Sequence, residues 1–577
     1  MADPLVTVAQ LLAPAFARVA GADADPVVRP SDRADAQANG ALAVAKALGR
    51  NPREVATEVA AIAAAELDRI ATLEVAGPGF INVTFADDFI AGQVVVAAAD
   101  DRLGVRASPA PETVVVDYSA PNVAKEMHVG HLRTTVIGDS IVRLLDFLGH
   151  RVIRENHIGD WGTPFGMLIE HLVDGGADAT SVIVNDDPNV FYQAARAKFD
   201  SNDDFKERAR ERVVKLQAYD PETIALWQQL VDASTEYFNL IYGELGILLT
   251  DDDLMGESAY QPLLPQVIER LRDGGLLQES DGAEVVFPPG YTNRDGDPLP
   301  LIVHKGGAGG FNYATSDLAC VIDRVERLHA TLLLYVVGAP QAQHLSMVFD
   351  VAQMAGWLQP PTRAVHVAFG NMLGADRKMF KTRSGESVKL QELITEAIER
   401  GVASVADKNP ELEIDERERV GRMIGIGAMK YADLSSDRIK DYVFDWDRML
   451  AFEGNTGPYL QYAHARIRSI FRRAEVSAEA VRDIVPILGT PAERALALKL
   501  LSFDGAVQET AERFTPHRLC TYLFELAQEF SAFYEACPVL RAETDELRLS
   551  RLALADHTAR VLAQGLSLLG IDAPERM

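Results

Sequence analysis

The stretch TVVVDYSAPNVAKEMHVGHLRTTVIGDS, residues 113–140, decides the fold. Its first half is a β-branched apolar run, Thr113 to Ser119. Such a run reads as a strand buried on both faces, as in a parallel sheet. The second half reads as a helix that begins near His128. A strand passing through a glycine-containing turn into a helix is an anion site, because free N–H groups and the helix macrodipole favour a phosphate there. The turn holds Asn122, Lys125, His128, Gly130 and His131. It contains neither G-x-x-x-x-G-K-[ST] nor a G-x-G-x-x-G fingerprint, so a P-loop and a dinucleotide fold are not indicated. Histidines stand where a glycine-rich cradle would be. Two imidazoles three residues apart share one helix face and are placed to donate to phosphate oxygens. Gly130 leaves room for a purine ring against the backbone.

Two further apolar runs, HRVIREN from His150 and TLLLYVVG from Thr331, read as neighbouring strands separated by helices. The expectation is an α/β protein: a Rossmann-like parallel-sheet catalytic domain over 109–390, interrupted by a more polar insertion over about 174–300. Residues 1–108 read as a small N-terminal α/β domain. In it, Asn51 is the expected N-cap of a helix with Pro52 at its first position. Ile81, Val83 and Phe85 are expected on one face of a strand. Beyond Leu390 the strand signal ends. A connecting segment over 391–450 leads to an α-helical domain over 451–577, where Leu519, Tyr522, Leu523, Leu526, Phe530 and Phe533 recur at helical spacing as bundle core.

The totals agree with a large soluble chain: 577 residues, 48% hydrophobic and 24% charged, with a formal net charge of −28. No apolar run approaches a bilayer span. The N-terminus has no basic segment of the kind that opens a secretory signal. Cys320, Cys520 and Cys537 form no disulfide or zinc spacing, and a reducing cytoplasm is the expected home. The acidic total disfavours loose nucleic-acid binding and requires a local basic face if one is bound. The densest basic region is YAHARIRSIFRR with DLSSDRIKDY, which carries Arg438, Lys440, Arg466, Arg468, Arg472 and Arg473. Charge alone would equally describe a solvated helix face.

A second cationic stretch, GADRKMFKTRSGESVKL from Gly374, follows the apolar AVHVAFGNML. It carries Lys378, Lys381 and Arg383 among glycines and serines. Taken alone it is an exposed basic loop. Paired with the histidines it supplies charge for the other side of a triphosphate.

His128-Val129-Gly130-His131 resembles the HIGH motif of class I aminoacyl-tRNA synthetases. The loop at 374–390 resembles their KMSKS loop, in either of two registers, Lys378 to Thr382 or Phe380 to Ser384. The combination with Lys125 is similar to the arginyl-tRNA synthetases. That resemblance also runs through NHIGDWGTPFG, YATSDLA, YVVGAPQAQH, KYADLSSDRIKDYVFDWDRMLAFEGNTGPYLQYAHARIRSI and the terminal LGIDAPERM.

The resemblance implies a ligase that joins L-arginine to tRNA(Arg) through an arginyl-adenylate, using ATP, with Mg²⁺ carried on the ATP phosphates and no protein metal site. Activation of arginine is expected to require bound tRNA. Catalytic roles fall on Lys125, His128, Gly130, His131, Lys381 and Arg383. ATP is expected against His128, Gly130, His131, Gln341, His344 and Lys378. The implied arginine set is Ala120, Asn122, His131, Tyr313, Asp317 and Gln341. A carboxylate and an aromatic wall suit a guanidinium, and one helical turn presents both Tyr313 and Asp317. The tRNA is expected on Arg438, Lys440, Arg466, Arg468 and Arg472, with a monomer and no membrane association. Thr315 or Ser316 is expected to cap the helix that carries Asp317. Two other readings remain at this point: a different H-x-G-H adenylyltransferase, and a catalytically silent RNA-binding paralogue.

Overall fold

The computed structural model describes residues 3–175, 188–305, 310–380 and 388–577. Its centre is a four-stranded parallel sheet in the spatial order Arg363–His366, Leu332–Tyr335, Thr113–Asp117, Arg151–Glu155. Each apolar run is continuous because both faces are covered. Val114, Val116, Leu332 and Leu334 join the larger core, which extends into the N-terminal unit and the helical domain. Val115, Leu333 and Tyr335 point into a second core against the helices Leu264–Asp273, Tyr313–Glu326 and Ala342–Met354. Parallel strands buried on both faces need no polar alternation.

Between the second strand of the sequence (Arg151–Glu155) and the third (Leu332–Tyr335) lies a long helical excursion that ends in a three-stranded antiparallel sheet. Its longest helix, Pro221–Leu245, returns to the first strand's carboxyl end. The N-terminal unit is a four-stranded antiparallel sheet with flanking helices. Asn51 caps the helix Pro52–Ala63 by accepting from the Arg53 amide, with Pro52 at its first position. Ile81, Val83 and Phe85 are buried on one face of the strand Phe80–Phe85. This unit rests on the C-terminal helices. Arg494 forks onto Asp35 at 2.7 Å per bond and reaches Asp87 at 2.7 Å, and Arg106 pairs with the buried Asp504 at 2.7 Å.

The C-terminal region is helical, and Leu519, Tyr522, Leu523, Leu526, Phe530 and Phe533 are all buried in the helix His517–Ala536. Cys320, Cys520 and Cys537 are buried free thiols. One expectation needs correction, because strand structure does not end at Leu390. Tyr442 and Val443 pair in parallel with Met372 and Leu373, a two-residue ladder too short to leave any periodic trace in the sequence. Among the described residues no helix is long and apolar enough to cross a membrane.

Candidate active site

The site lies at the carboxyl end of the first strand. The backbone from Ser119 to Ala124 takes the left-handed region at three non-glycine residues, Ser119 (φ 73°), Ala120 (φ 48°) and Ala124 (φ 57°). Such conformations persist only where the surroundings over-determine them. Here four side chains do so. Thr134 Oγ1 accepts from the Ser119 amide at 3.1 Å and Asn156 Oδ1 from the Ala120 amide at 3.0 Å. Ser234 Oγ accepts from the Ala124 amide at 3.0 Å, and Tyr242 shares a 2.7 Å bond with the Ser119 hydroxyl. Ser234 and Tyr242 come from the insertion helix, so that excursion braces the turn. Asn122 pairs with Gly159 across a parallel bridge, and a Cβ on residue 159 would overlap the Asn122 side chain.

His128 is the N-cap of the helix Val129–Phe147. Its Nδ1 accepts from the Gly130 amide at 3.0 Å, and His131 Nδ1 accepts from the His128 amide at 3.0 Å. The two imidazoles thus form a capping box, with ring centroids 4.1 Å apart. An acceptor at Nδ1 fixes the proton of a neutral ring on Nε2. Both rings are neutral near pH 7. Burial lowers the pKa of His128, aided by Lys125. Burial followed by His128 lowers that of His131 to about 3. Two Nε2–H donors are therefore left for a ligand. Gly130 has a local reason as well: a Cβ there would stand 2.8 Å from His128 Cε1 and push the cap ring away.

The start of this helix meets the far end of the cationic stretch. On the far side, His128 and Lys389 form an antiparallel bridge, the Val129 amide donates to Val388 O at 3.0 Å, and the Leu390 amide to Met127 O at 2.9 Å. On the near side, a turn at 374–378 closes with Gly374 N to Lys378 O at 2.8 Å, and Leu373 bridges Met379. Lys378 is exposed there. Lys381 and Arg383, and with them the choice of register, lie outside the described residues. Lys125 stands beside the histidines with Nζ 4.4 Å from the Tyr192 ring centre.

Across the sheet, Tyr313 and Asp317 occupy the first turns of the helix Tyr313–Glu326. Asn312 caps this helix, its Oδ1 accepting from the Tyr313 amide at 3.0 Å; the expected caps Thr315 and Ser316 lie inside the helix instead. Thr315 turns inward and donates to Val303 O. Asp317 consequently sits beyond the first turn, where a macrodipole contribution is weak. His344 Nε2 meets Asp317 Oδ2 at 2.5 Å, and the Tyr313 ring packs on His344 with centroids 4.7 Å apart. His344, expected at the nucleotide, is thus a partner of the carboxylate expected at arginine. Gln341 is exposed at the end of the short turn Ala339–Gln341, just before that histidine's helix.

Sequence reasoning missed the anchor of the Tyr313 helix. Arg324, fully buried, donates to Asp117 at 2.7 Å and Glu155 at 2.6 Å, carboxylates that end the adjacent strands Thr113–Asp117 and Arg151–Glu155. A charge closing an otherwise apolar run, as in TVVVD, was the available signal.

The basic residues of the C-terminal half divide into two sets. Arg438 turns inward, donating to Ala368 O at 2.6 Å and Phe514 O at 2.9 Å. Arg468 pairs with the buried Asp556 at 3.1 Å. Lys440 is exposed. Arg466 lies 4.9 Å from the Tyr534 ring, and with Arg472, Arg473, Arg576 and Tyr462 it lines an open groove of about 640 Å³. A cationic groove with aromatic walls suits unstacked bases and phosphates.

Comparison with known proteins matches this geometry in full length. Residues 93–446 match the class I (R) tRNA synthetase catalytic domain, residues 7–85 the arginyl tRNA synthetase N terminal domain, and residues 460–577 the DALR anticodon binding domain. The chain is 54% identical over 581 residues to an arginine–tRNA ligase of Thermobifida fusca, covering 100% of both chains. It is 48% identical to one of Escherichia coli, covering 97% of both. Among solved structures, the Plasmodium falciparum arginyl-tRNA synthetase has a TM-score of 0.82 at 27% identity, covering 99% of each chain. The Thermus thermophilus enzyme has a TM-score of 0.80 at 27% identity, covering 99% of this chain and 100% of that one. This end-to-end likeness, in sequence and in fold, leads to one conclusion: the chain belongs to the arginyl-tRNA synthetases of class I.

Proposed function

We propose that the chain charges tRNA(Arg) with L-arginine in two steps. In the first, an arginine carboxylate oxygen attacks the α-phosphorus of ATP, and pyrophosphate leaves. No side-chain nucleophile takes part; the protein positions the partners and stabilises charge. The Nε2–H groups of His128 and His131 donate to phosphate oxygens as charge develops on them. Lys125, Lys378, Lys381 and Arg383 neutralise the departing pyrophosphate. Asp317 receives the arginine guanidinium, held in place by His344 and walled by Tyr313. Asn122, Ala120 and Gln341 complete the amino-acid site. In the second step a hydroxyl of the tRNA's terminal ribose attacks the activated carbonyl and AMP leaves.

Mg²⁺ enters with ATP on its phosphates. The described residues contain no group of three or more His, Cys, Asp or Glu placed to hold a metal. Arg466 and Arg472 take the tRNA in the groove beside Tyr534, with Lys440 at a separate, exposed position. Arg438 and Arg468 act there as scaffold, because their guanidinium groups are spent on internal partners. We take the chain as a cytoplasmic monomer.

The observation that carries this reading is the backbone bridge between His128 and Lys389. The test is product identification with ATP, arginine and tRNA(Arg). Arginyl-tRNA, AMP and pyrophosphate in equal amounts are expected. ADP as the product, or no arginyl-tRNA, would overturn it.

A further inference from the structure

Arg133 lies two residues beyond His131, in the first turns of the same helix, and is 1% exposed. Its Nε donates to Asp433 Oδ2 at 3.0 Å, and Asp433 is also buried. Its terminal nitrogens reach Lys440 O at 3.3 Å and Arg438 O at 3.4 Å, and its guanidinium lies 5.1 Å from the Tyr442 ring and 5.7 Å from the Phe369 ring. The Tyr442 hydroxyl lies against Asp433.

Apart from Asp433 and Phe369, these contacts converge on one segment, residues 438–444. That segment is the backbone partner of the strand leading into the Lys378 turn. Gly370 N donates to Arg438 O at 2.8 Å, Asn371 N to Asp441 Oδ1 at 2.5 Å, and Phe444 N to Leu373 O at 2.8 Å. Tyr442 and Val443 pair with Met372 and Leu373. Phe380 then stacks on Phe444 with ring centroids 4.9 Å apart. The loop's far end is already fixed to His128 by backbone pairing, but its near end touches the histidine helix through this segment. A guanidinium held by a buried carboxylate and two aromatic faces is a rigid connector, because its planar fork admits few alternative geometries.

We propose that Arg133 is a positioning residue for adenylate formation: through Asp433 and the 438–444 segment it sets the Lys378 turn in register with the His128–His131 pair. The inference rests on the reading of that pair and turn as the ATP site. Through Arg438, whose Nε donates to Phe514 O, the same segment also meets the helical domain. Arg133 touches none of the reacting atoms, so its loss acts on alignment and leaves their chemistry intact.

The two half-reactions separate this role from a structural one. Activation needs the histidines and the turn together. Transfer from a ready-made adenylate does not need the turn. The experiment compares wild type with Arg133→Lys, Arg133→Met and Tyr442→Phe, with tRNA present. It measures ATP–pyrophosphate exchange, single-turnover transfer from chemically prepared arginyl-adenylate, and thermal melting.

The expected result for Arg133→Met is an exchange kcat lower by about ten- to a hundredfold, the range lost when reacting groups are misplaced by about an ångström. KM for ATP and the transfer rate should stay within about twofold. Arg133→Lys should recover part of the loss, and Tyr442→Phe should show a smaller loss of the same kind. A folded Arg133→Met with wild-type exchange, or one that loses transfer as much as activation, would overturn the proposal. If Arg133→Met does not fold, Tyr442→Phe decides alone, and wild-type exchange in it is contrary. Absence of arginine-dependent exchange in the wild type would instead sink the underlying reading of the site.

Discussion

His128 and Lys389 face each other across an antiparallel bridge, with the Val129 amide on Val388 O and the Leu390 amide on Met127 O. The histidine cap and the exit of the cationic loop are therefore one short piece of sheet. A displacement of either is felt by the other without any ligand between them.

Lys125 stands close enough to the histidine cap for its charge to act on both rings, and among the described residues it makes no ion pair; its Nζ rests on the Tyr192 ring. Lys125→Ala is expected to lower arginine-dependent exchange by about tens to a thousandfold, the range for loss of one preorganised electrostatic donor. Melting should shift little, since a cation–π contact at a partly exposed site is worth about 0.5–1 kcal/mol. Steady-state exchange kinetics beside a melting curve check both halves, and wild-type kinetics would remove Lys125 from the phosphate site.

Asp317 sits one turn past the helix start and is bonded to His344. Asp317→Asn keeps the shape and removes the charge. Leaving the arginine guanidinium without its carboxylate costs on the order of 2–5 kcal/mol of binding. A loss of about hundreds of fold in kcat/KM for arginine is expected, with melting changed by a few degrees at most. Unchanged arginine kinetics would assign Asp317 to holding His344 alone.

Buried neutral histidines give the stability a defined acid dependence. The pKa values of His131 and His557 are both lowered to about 3, by burial first, from an ordinary 6.5. Between those limits the unfolded chain binds protons that the folded one does not, so stability falls as pH drops through 6.5 toward 3. Above 6.5 these groups contribute no slope. Melting temperature should drop between pH 7 and pH 5, and His557→Leu should reduce the drop. An unaltered pH slope in that variant would show that His557 does not carry the effect.

The basic groove makes two opposite predictions for neighbouring arginines. Arg472, at the rim, should act on tRNA: Arg472→Ala should raise KM for tRNA and reduce the slope of log affinity against log salt by about one, as one phosphate contact is lost. Arg468, paired with buried Asp556, should act on folding: Arg468→Ala leaves that carboxylate with Arg482 alone, at 3.6 Å, and loses a charged hydrogen bond worth about 1.5–3 kcal/mol. Filter binding across a salt series, with melting curves, distinguishes them.

Much of this was legible in the sequence. Val114, Val115 and Val116 announced a strand covered on both faces because burial there demands nothing but apolar residues. The histidines and glycine at 128–131 could be read as one local unit because the cap they form involves only near neighbours in the chain. What escaped was long-range. Thr315 and Ser316 are the expected caps of one helix, but Asn312 caps it, and a bond from Thr315 to Val303 O in the preceding strand holds Thr315 inside it. Arg438 and Arg468 counted as basic face by charge, whereas their partners, Phe514 O and Asp556, are far along the chain. The pairing of Arg133 with Asp433, 300 residues apart, has no local signature at all.

The most direct test of the whole account is ATP–pyrophosphate exchange measured with each of the twenty amino acids, with and without tRNA(Arg). The account predicts exchange with arginine alone among them, near background without tRNA and strong when it is added. Exchange driven by another amino acid, or none with arginine and tRNA together, would contradict it.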